Sequence, residues 1–377
     1  KVSFYSIPPT PRLLPPSFSA GRKIRIYLAV FKLKPMDDIR RLSAVAEMIC
    51  DHVSLDGPDE IDRFMQATEL REGDFVALQP QEFGGEIFAV DGSNAPICSW
   101  STASVNLIRA GYAVYRGREW QRTVITFDDL FMADEKLIPD TFDPYLEEFF
   151  GLSGAAFSEP DLERLSSYYR EMQEYIAIDD ALRHARAGDL ILYDGSFDVF
   201  EPLRGAVASL FSKARENEVA LLAVAKASAL TWGEEISLPF VPHAALAGSL
   251  LLPDSAWYLR LKDKKVDAGQ GRWNGEPFVV RFCGQSHHAF RVDSPAYLVA
   301  QIGSILAKAA AYSCSAECLG YPHALFRAHR DIRIAEPERQ AVRRRLISRL
   351  ADMGMSRFQL NLLMEDIHDI LEMRPSF

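Results

Sequence analysis

The sequence predicts an α/β fold, in which the strands of a mixed sheet alternate with crossover helices. Two observations lead to this prediction. Short apolar runs that end in Asp, Gly or Ser recur along the middle of the chain, and stretches with apolar residues at helical spacing separate them. The chain has 377 residues, of which 48% are hydrophobic and 25% charged. This composition is typical of globular proteins and excludes collagen-like or wholly disordered chains.

The first part of the chain differs from the rest in charge. Residues 1–34 carry seven basic side chains, no acidic ones and five prolines, which predicts an extended basic arm. Residues 37–90 carry 13 acidic side chains against four basic ones, and apolar spacing over 39–53 predicts one amphipathic helix.

The middle of the chain begins with strands. An apolar run at 87–90 is followed by Asp91-Gly-Ser-Asn, which favours a turn, and the runs at 105–115 and 123–127 predict two further strands. Residues 127–163 then carry 11 acidic side chains and one basic one. We expect this stretch to be a surface insertion that is partly helical.

Helices and strands alternate from residue 160 onwards. Helices are predicted at 160–186, 203–216, 296–312 and 322–333, with two more between 336 and 373, and strands at 189–193, 219–224, 256–262, 277–283 and 288–293. No internal repeat of 20–50 residues accompanies this pattern.

Charge, cysteine content and hydropathy narrow the class of protein. The net charge of −10 excludes a uniformly basic nucleic-acid-binding coat, although it allows a local basic groove. The five cysteines show no disulfide or zinc-ribbon spacing, and no run of 18 apolar residues or signal-peptide segment is present. We therefore expect a cytoplasmic protein in a reducing compartment, with no membrane span.

The motif Asp-Gly-Ser occurs twice, each time after an apolar run, at Asp91 and at Asp194. An Asp at the end of a buried strand projects at the sheet edge where α/β folds bind ligands. The ordinary alternative is a turn in which Asp caps its own backbone. Two copies in matching contexts leave the two explanations about equal.

A metal site at that edge needs a third carboxylate. Glu174 lies on the predicted long helix, 20 residues before Asp194, and Glu171 is the nearest rival. Three hard oxygen ligands suit Mg²⁺ or Mn²⁺. Carboxylates placed in this way can hold two metals about 4 Å apart for phosphodiester cleavage. A solvated Glu at the boundary of a buried helix face is the alternative.

Three more residues are candidates for chemistry. Lys226 ends an apolar strand and can neutralise phosphate charge, although a strand-end lysine often reaches solvent only. The segment 320–329 begins a helix with Tyr321, which can orient phosphate or stack on a base, and ends with His329, a possible ligand or proton donor. Eight arginines against three acids in 321–350 either follow a nucleic-acid backbone or form a solvated helix face.

Together these features resemble the NurA nucleases. The resemblance covers roughly residues 85–335 and rests on the ordered set of the first Asp-Gly-Ser, Arg170-x-x-x-Glu174, Leu-Tyr-Asp194-Gly-Ser, Lys226 and the Gly-Tyr-Pro…Ala-His segment. It implies an RNase H-like (Piwi-like) fold with a mixed sheet flanked by helices. It also implies a dimer, dependence on Mn²⁺ or Mg²⁺, and 5′→3′ exonuclease and endonuclease activity on single- and double-stranded DNA.

The resemblance also implies roles and partners. Asp91, Glu174 and Asp194 would be the metal-binding acids with His329 as a further ligand, and Lys226, Tyr321 and His329 would be supporting catalytic residues. The partner would be a HerA-type hexameric translocase in DNA-end processing or anti-phage defence. The expected organisation is an arm at 1–35, a helical region at 36–85, a nuclease domain at 86–335 with an insertion at 127–163, and a helical tail at 336–377.

Two other function classes fit the sequence less well. The acidic balance and the terminal extensions fit a non-catalytic adaptor of a HerA-type motor, which would bind the motor without cleaving DNA. An RNase H- or Argonaute-like enzyme acting on RNA would share the fold and the metals. Cleavage of matched DNA, RNA and hybrid duplexes separates these possibilities.

Overall fold

The computed structural model describes residues 42–47, 58–100, 103–134, 138–152, 162–233, 237–267, 273–318 and 320–364. By its internal contacts the chain divides into residues 1–54 and 55–377. The described part of the first unit is a helical stretch at 42–47. The basic arm predicted at 1–35 and most of the helix predicted at 39–53 lie outside the described residues.

The second unit contains strands and helices in alternation. In the described residues its strands are β1 (Phe75–Leu78), β2 (Glu86–Trp100), β3 (Ala103–Arg116), β4 (Glu119–Asp134), β5 (Leu190–Tyr193), β6 (Ala220–Ala225), β7 (Thr231–Trp232), β8 (Leu238–Pro239), β9 (Ala256–Arg260), β10 (Glu276–Arg281) and β11 (Phe290–Ser294). Its helices are α1 (Pro58–Ala67), α2 (Ile138–Phe150), α3 (Leu162–His184), α4 (Arg204–Glu216), α5 (Phe240–Leu251), α6 (Ile302–Ala310), α7 (His323–Ile332), α8 (Glu336–Asp352) and α9 (Arg357–Met364). Three short 3-10 helices lie at Glu72–Asp74, Glu201–Leu203 and Ala296–Gln301.

Nine of the strands form one mixed sheet in the order β1-β9-β10-β11-β6-β5-β2-β3-β4. β5 pairs in parallel with both β2 and β6, and the other neighbours in the sheet are antiparallel. The three parallel strands are short or continuously apolar where they pair, as expected of strands that helices cover on both faces. The predicted mixed α/β sheet flanked by helices is therefore confirmed.

Alternating side chains of β2 pack into two separate hydrophobic cores, one on each face of the sheet. Phe88 and Val90 pack on one face with residues of α2, α3 and α4. Ile87 and Ala89 pack on the other face with residues of α6 and α7. Because neighbouring side chains of a strand point to opposite faces, the parity of a residue in β2 determines which helices it meets.

Helix α3 is the central helix of the first core. Every residue from Met172 to Asp179 is buried, so this stretch has no solvent-facing side. A helix that is covered all round is expected to lie between layers. Here the sheet lies on one side, and α2 and α4 contact the helix on others. Polar residues of α3 in this stretch must therefore be satisfied by protein groups.

The predicted surface insertion at 127–163 needs correction where the structure describes it. Residues 127–134 continue β4, and Phe142 and Leu146 of α2 are fully or almost fully buried in the core of α3. The ring of Phe142 contacts those of Phe131 and Tyr169. Acidic residues such as Asp128, Glu147 and Glu148 are exposed on the outer face of this segment. Because the segment contains so many acidic residues, the sequence did not reveal its apolar inner face. Residues 153–161 lie outside the described part.

Other elements differ from the sequence-based prediction. β1, within the region 36–85, joins the main sheet through β9, so the sheet begins before residue 86. Helix α1 lies within the region 36–85 that was expected to be helical, although its bounds were not predicted, and helix α5 was not predicted. They pack around Phe64 and Trp257 in a third core, and α5 contains both Pro242 and Gly248, which weaken a helical pattern.

The expectation of unpaired cysteines is also corrected. Cys283, just after β10, and Cys314, after α6, form a disulfide with a Cα–Cα distance of 5.4 Å. Their separation of 31 residues matches no short motif, so spacing alone could not reveal the pair. Among the described residues, Cys98 and Cys318 are free.

The described helices differ from membrane-spanning helices in length and hydropathy. None of them combines the length and the apolar character that crossing a bilayer requires.

The core position of α2 gives a stability prediction. We expect Phe142→Ala to lower the free energy of unfolding by about 3–5 kcal/mol, because it leaves a cavity beside Phe131 and Tyr169. Glu148→Ala on the exposed side of the same helix is the matched control and should change it by less than about 0.5 kcal/mol. Urea denaturation followed by tryptophan fluorescence measures both values. Equal, small effects would show that 138–150 is a surface segment after all.

Candidate active site

The site lies where the parallel pairing of β2 and β5 stops. The last register pair is Val90 with Tyr193, and the amide of Asp194 then donates to the carbonyl of Val90 at 2.9 Å. β5 leaves the sheet at this point, whereas β2 continues to Trp100. Asp91 and Asp194 are the next residues of the two neighbouring strands, so the topology brings their side chains together at one place.

The turn predicted at the first Asp-Gly-Ser is wrong. Asp91, Gly92 and Ser93 lie inside β2 and pair with Gly111, Ala110 and Arg109 of β3. Two of the three residues disfavour strands, but hydrogen bonds to the long neighbouring strand β3 override that preference. The second Asp-Gly-Ser does follow the end of its strand, as predicted.

Strand parity separates the site residues between the two faces of the sheet. Asp91 and Ser93 have the parity of Ile87 and Ala89, on the face that α7 covers. On this face Nδ1 of His329 lies 2.9 Å from Oδ2 of Asp91, and the amide of Ile334 donates to Oγ of Ser93 at 3.0 Å. The C-terminal end of α7 is therefore fixed relative to β2, and His329 is held beside Asp91.

Glu174 approaches from the opposite face, through the space left by Gly92. It is fully buried on α3, and a Cβ built on Gly92 would lie 2.4 Å from its Oε1. Any other residue at position 92 would therefore displace the carboxylate. The glycine of the first motif permits close approach of α3 to the strand, and this explains its place next to Asp91.

The carboxylate of Glu174 is held by two neighbours. Arg170, one turn earlier on α3, forms an ion pair with its Oε1, and the hydroxyl of Tyr193 donates to its Oε2 at 2.8 Å. Burial raises the pKa of Glu174 to about 8, with Arg170 opposing this rise and Asp91 adding to it. Tyr193 was not singled out from sequence. A tyrosine in an otherwise aliphatic buried strand was the available indication.

The second glycine serves the same carboxylate less directly. A Cβ on Gly195 would lie 2.4 Å from the Tyr193 ring and 2.6 Å from its hydroxyl. Gly195 thus leaves the ring of Tyr193 free to reach Glu174. The two glycines of the repeated motif have different neighbours but both keep space around one buried acid.

Asp194 contacts a lysine and a tyrosine. Its Oδ2 forms an ion pair with Nζ of Lys226 at 2.5 Å. Lys226 lies just beyond β6, and its Nζ is 5.5 Å from the ring centroid of Tyr321. Burial, followed by the charge of Asp91, raises the pKa of Asp194 to about 6, and Lys226 opposes the rise. Burial and then Asp194 raise the pKa of Tyr321 well above its usual value.

The donor set fits a hard divalent cation. One ligand atom each from Asp91, Asp194 and His329 lies within 4.8 Å of the other two. Two carboxylates and an imidazole are donors that Mn²⁺ accepts, and carboxylates suit Mg²⁺ as well. The mutual repulsion of two buried acids is the condition that a bound cation relieves. The buried hydroxyl of Tyr321, which interacts with Asp194, adds a further oxygen nearby.

The structure thus brings Asp91, Asp194, His329, Lys226 and Tyr321 together, and it places Glu174 behind Gly92 rather than within the three-ligand group. Glu171, the alternative acid, accepts a hydrogen bond from the hydroxyl of Tyr175 at 2.5 Å. Burial raises its pKa to about 7. Glu174 has the closer approach to the Asp91–Gly92 backbone, but the role of each residue remains a prediction.

The fold is shared with NurA structures. The crystal structure of the NurA nuclease from Sulfolobus solfataricus aligns over 83% of this chain and 98% of its own, with a TM-score of 0.50 and 14% identity. A second NurA crystal structure aligns over 86% of this chain and 100% of its own, with a TM-score of 0.50 and 11% identity. No protein-family model and no curated protein matches the sequence. The NurA-like, RNase H-like fold expected from the resemblance is confirmed, and at this identity the comparison concerns the fold alone.

The close approach of Glu174 to Gly92 gives a second prediction. Gly92→Ala should destabilise the protein by about 1–3 kcal/mol, because the added methyl group overlaps the carboxylate. In a Glu174→Ala background the same substitution should cost much less, so that the two changes are strongly coupled in a double-mutant cycle of urea unfolding.

Gly84→Ala is the control for this cycle, since a Cβ at Gly84 has no neighbour within 4 Å. It should be close to neutral in both backgrounds. Additive effects of Gly92→Ala and Glu174→Ala would contradict the described contact.

Proposed function

We propose that the protein is a metal-dependent nuclease that hydrolyses phosphodiester bonds of DNA. The observation that carries the proposal is the convergence of Asp91, Asp194 and His329 within 4.8 Å, at the point where two parallel strands diverge. The NurA-like fold supports it, because NurA structures include one described as a nuclease. Asp91, Asp194 and His329 would hold Mn²⁺ or Mg²⁺.

A cation bound there would supply activated water and stabilise the leaving oxygen of the cleaved phosphodiester. The residues of the chain have complementary tasks. Lys226, whose side chain is 44% exposed, can contact an incoming phosphate while it stays paired with Asp194. The bond between Nδ1 of His329 and Asp91 fixes the ring orientation, so that Nε2 is the nitrogen available either to bind the cation or to exchange a proton.

Glu174 and Tyr321 complete the proposed site. Glu174 would act as the third acid of the centre, held by Arg170 and Tyr193. Tyr321 would orient a substrate phosphate through its hydroxyl, which lies near Asp194. A buried acid with a raised pKa is costly to keep in a fold, and such groups concentrate at functional sites. The burial of the Glu174 carboxylate against Gly92 is therefore consistent with a catalytic role.

The sequence resemblance extends the proposal to partners. We propose a homodimer that works with a HerA-type hexameric translocase in DNA-end processing or anti-phage defence, with 5′→3′ exonuclease and endonuclease activity. A cytoplasmic location fits such a role. Co-purification with a candidate HerA-type motor and light scattering of the pure protein test the partner and the dimer independently of catalysis.

The catalytic proposal predicts the effect of neutralising each acid. Asp91→Asn and Asp194→Asn should each reduce Mn²⁺-dependent degradation of linear DNA by roughly 10²-fold or more, the scale of losing one group that stabilises transition-state charge. Chelation by EDTA should abolish the activity of the unmodified protein. Release of labelled nucleotides from linear DNA, with circular DNA alongside, measures both effects.

Asp189→Asn is the matched control. Asp189 is buried at the other end of β5, where it accepts hydrogen bonds from the amides of Glu86 and Arg186. This variant should degrade DNA at the rate of the unmodified protein. Full activity of either site variant would refute the assignment of these acids to the active site. Preferential cleavage of RNA or hybrid duplexes would show that RNA, and not DNA, is the substrate. Absence of any cleavage with Mn²⁺ would favour the non-catalytic adaptor.

A further inference from the structure

The eight arginines of residues 321–350 divide into inward and outward groups. Arg327 binds Asp331 at 2.6 Å, and Arg339 binds Glu336 and donates to the carbonyl of Pro96 at 3.0 Å. The first pair lies within α7, and the bond to Pro96 joins α8 to β2. Arg343 is half-buried and also has a protein neighbour. The remaining five have a different environment.

These five arginines form what we call the outer arginine face, which consists of Arg330, Arg333, Arg344, Arg345 and Arg349. All are exposed. Within the part of the chain that the structure describes, the last four have no ion pair within 4.0 Å. Arg330 has one weak contact at 3.9 Å from Oδ1 of Asp331, and its side chain is 57% exposed.

The neighbouring acids do not neutralise this face. Asp331 and Glu336 are paired with the inward arginines, and Glu338 forms an ion pair with Arg109 of β3. Asp352, the last residue of α8, is exposed. Among the described residues, four of these five exposed arginines therefore have no acidic side chain within ion-pair distance, on a chain whose net charge is −10.

The outer arginine face begins at the candidate active site. Arg330 and Arg333 follow His329 directly on α7 and at its end, so their positions are fixed relative to Asp91. Helix α8 then packs along the extension of β2 beyond the site, where Val342 and Leu346 contact a small core. On α8, Arg344, Arg345 and Arg349 span about 8 Å along the helix, which matches roughly two phosphate spacings along one DNA strand.

Helix stability alone explains only part of this pattern. A basic residue in the last turn interacts favourably with the helix dipole, and Arg349 fulfils that role. Arg344 and Arg345 lie in the middle of α8, where the dipole gives no such benefit, and Arg345 and Arg349 are like charges four residues apart, which destabilises a helix.

We propose that the outer arginine face binds the sugar–phosphate backbone of substrate DNA and leads it to the Asp91–Asp194 site. The inference rests on the proposed nuclease function, and it names the surface that holds the substrate. Guanidinium groups suit this task because they form paired hydrogen bonds with phosphate oxygens. Contacts of this kind carry no sequence information, so binding would be independent of base sequence.

The test measures DNA binding without cleavage. Fluorescence anisotropy of a labelled duplex and a labelled single strand, in EDTA and over a range of NaCl concentrations, gives the affinity and its salt dependence. The triple variant Arg344→Ala/Arg345→Ala/Arg349→Ala should bind duplex at least about tenfold more weakly at low salt. The slope of log affinity against log salt should fall by roughly 0.9 for each lost phosphate contact.

A matched triple variant controls for net charge. Arg71→Ala/Arg118→Ala/Arg186→Ala removes three exposed arginines outside the face and should bind DNA almost as the unmodified chain does. The triple Arg→Lys variant at 344, 345 and 349 keeps the charge and should retain most of the binding. It also serves if the alanine variant does not fold, which circular dichroism would show.

The results distinguish failure of the inference from failure of the proposed function. Equal weakening by both alanine triples, or no change in the slope at 344, 345 and 349, would overturn the inference even if the protein degrades DNA with Mn²⁺. If the protein binds DNA through this face in EDTA but never cleaves it with Mn²⁺, the inference about the binding surface stands and the proposed nuclease function is refuted. No salt-dependent DNA binding by the unmodified chain would overturn the inference outright.

Discussion

The hydrogen bond from the amide of Asp194 to the carbonyl of Val90 is the last link between β5 and β2, and the candidate site depends on it. Beyond this bond one strand leaves the sheet while the other continues, so Asp91 and Asp194 are neighbours without being paired. Ligand sites of open α/β sheets form where strands diverge in this way. The large sheet and the two cores on either side of β2 thus fix the position of Asp91 relative to Asp194.

The electrostatics of the same place are costly. Glu174 is fully buried, with one arginine and one tyrosine as its partners, and Asp91 and Asp194 lie close enough to repel each other. Burying such charges costs several kcal/mol per ion, and a polar network offsets that only partly. Gly92 and Gly195 leave space for this network, but because they have no side chain they contribute no side-chain packing to stability. Stability and site geometry therefore oppose each other here, as is common at functional sites.

Local pattern predicted the members of the site better than their arrangement. The two Asp-Gly-Ser motifs were found because each follows an apolar run, but the first was assigned to a turn, since Asp-Gly is a turn sequence and pairing with β3 has no local sign. That Gly92 faces Glu174 depends on the packing of α3 against β2, more than 80 residues apart along the chain. The Cys283–Cys314 disulfide and the burial of α2 are likewise long-range results. The order of motifs along the chain, on which the resemblance to the NurA nucleases rests, grouped Lys226, Tyr321 and His329 with the three acids, which periodicity alone could not do.

The distribution of charge resolves the apparent conflict between an acidic protein and a nucleic-acid substrate. Affinity for DNA depends on the charges that meet its phosphates, and screening over about 8–10 Å makes distant acidic segments nearly irrelevant. The acidic side chains around α2 lie on the opposite face of the sheet from α7, whereas the outer arginine face continues from His329. The proposed cation would screen the acids at the site. A net charge of −10 then limits non-specific attraction at a distance while it leaves contact at this face intact, which favours binding of DNA that is already delivered to the site over capture from solution.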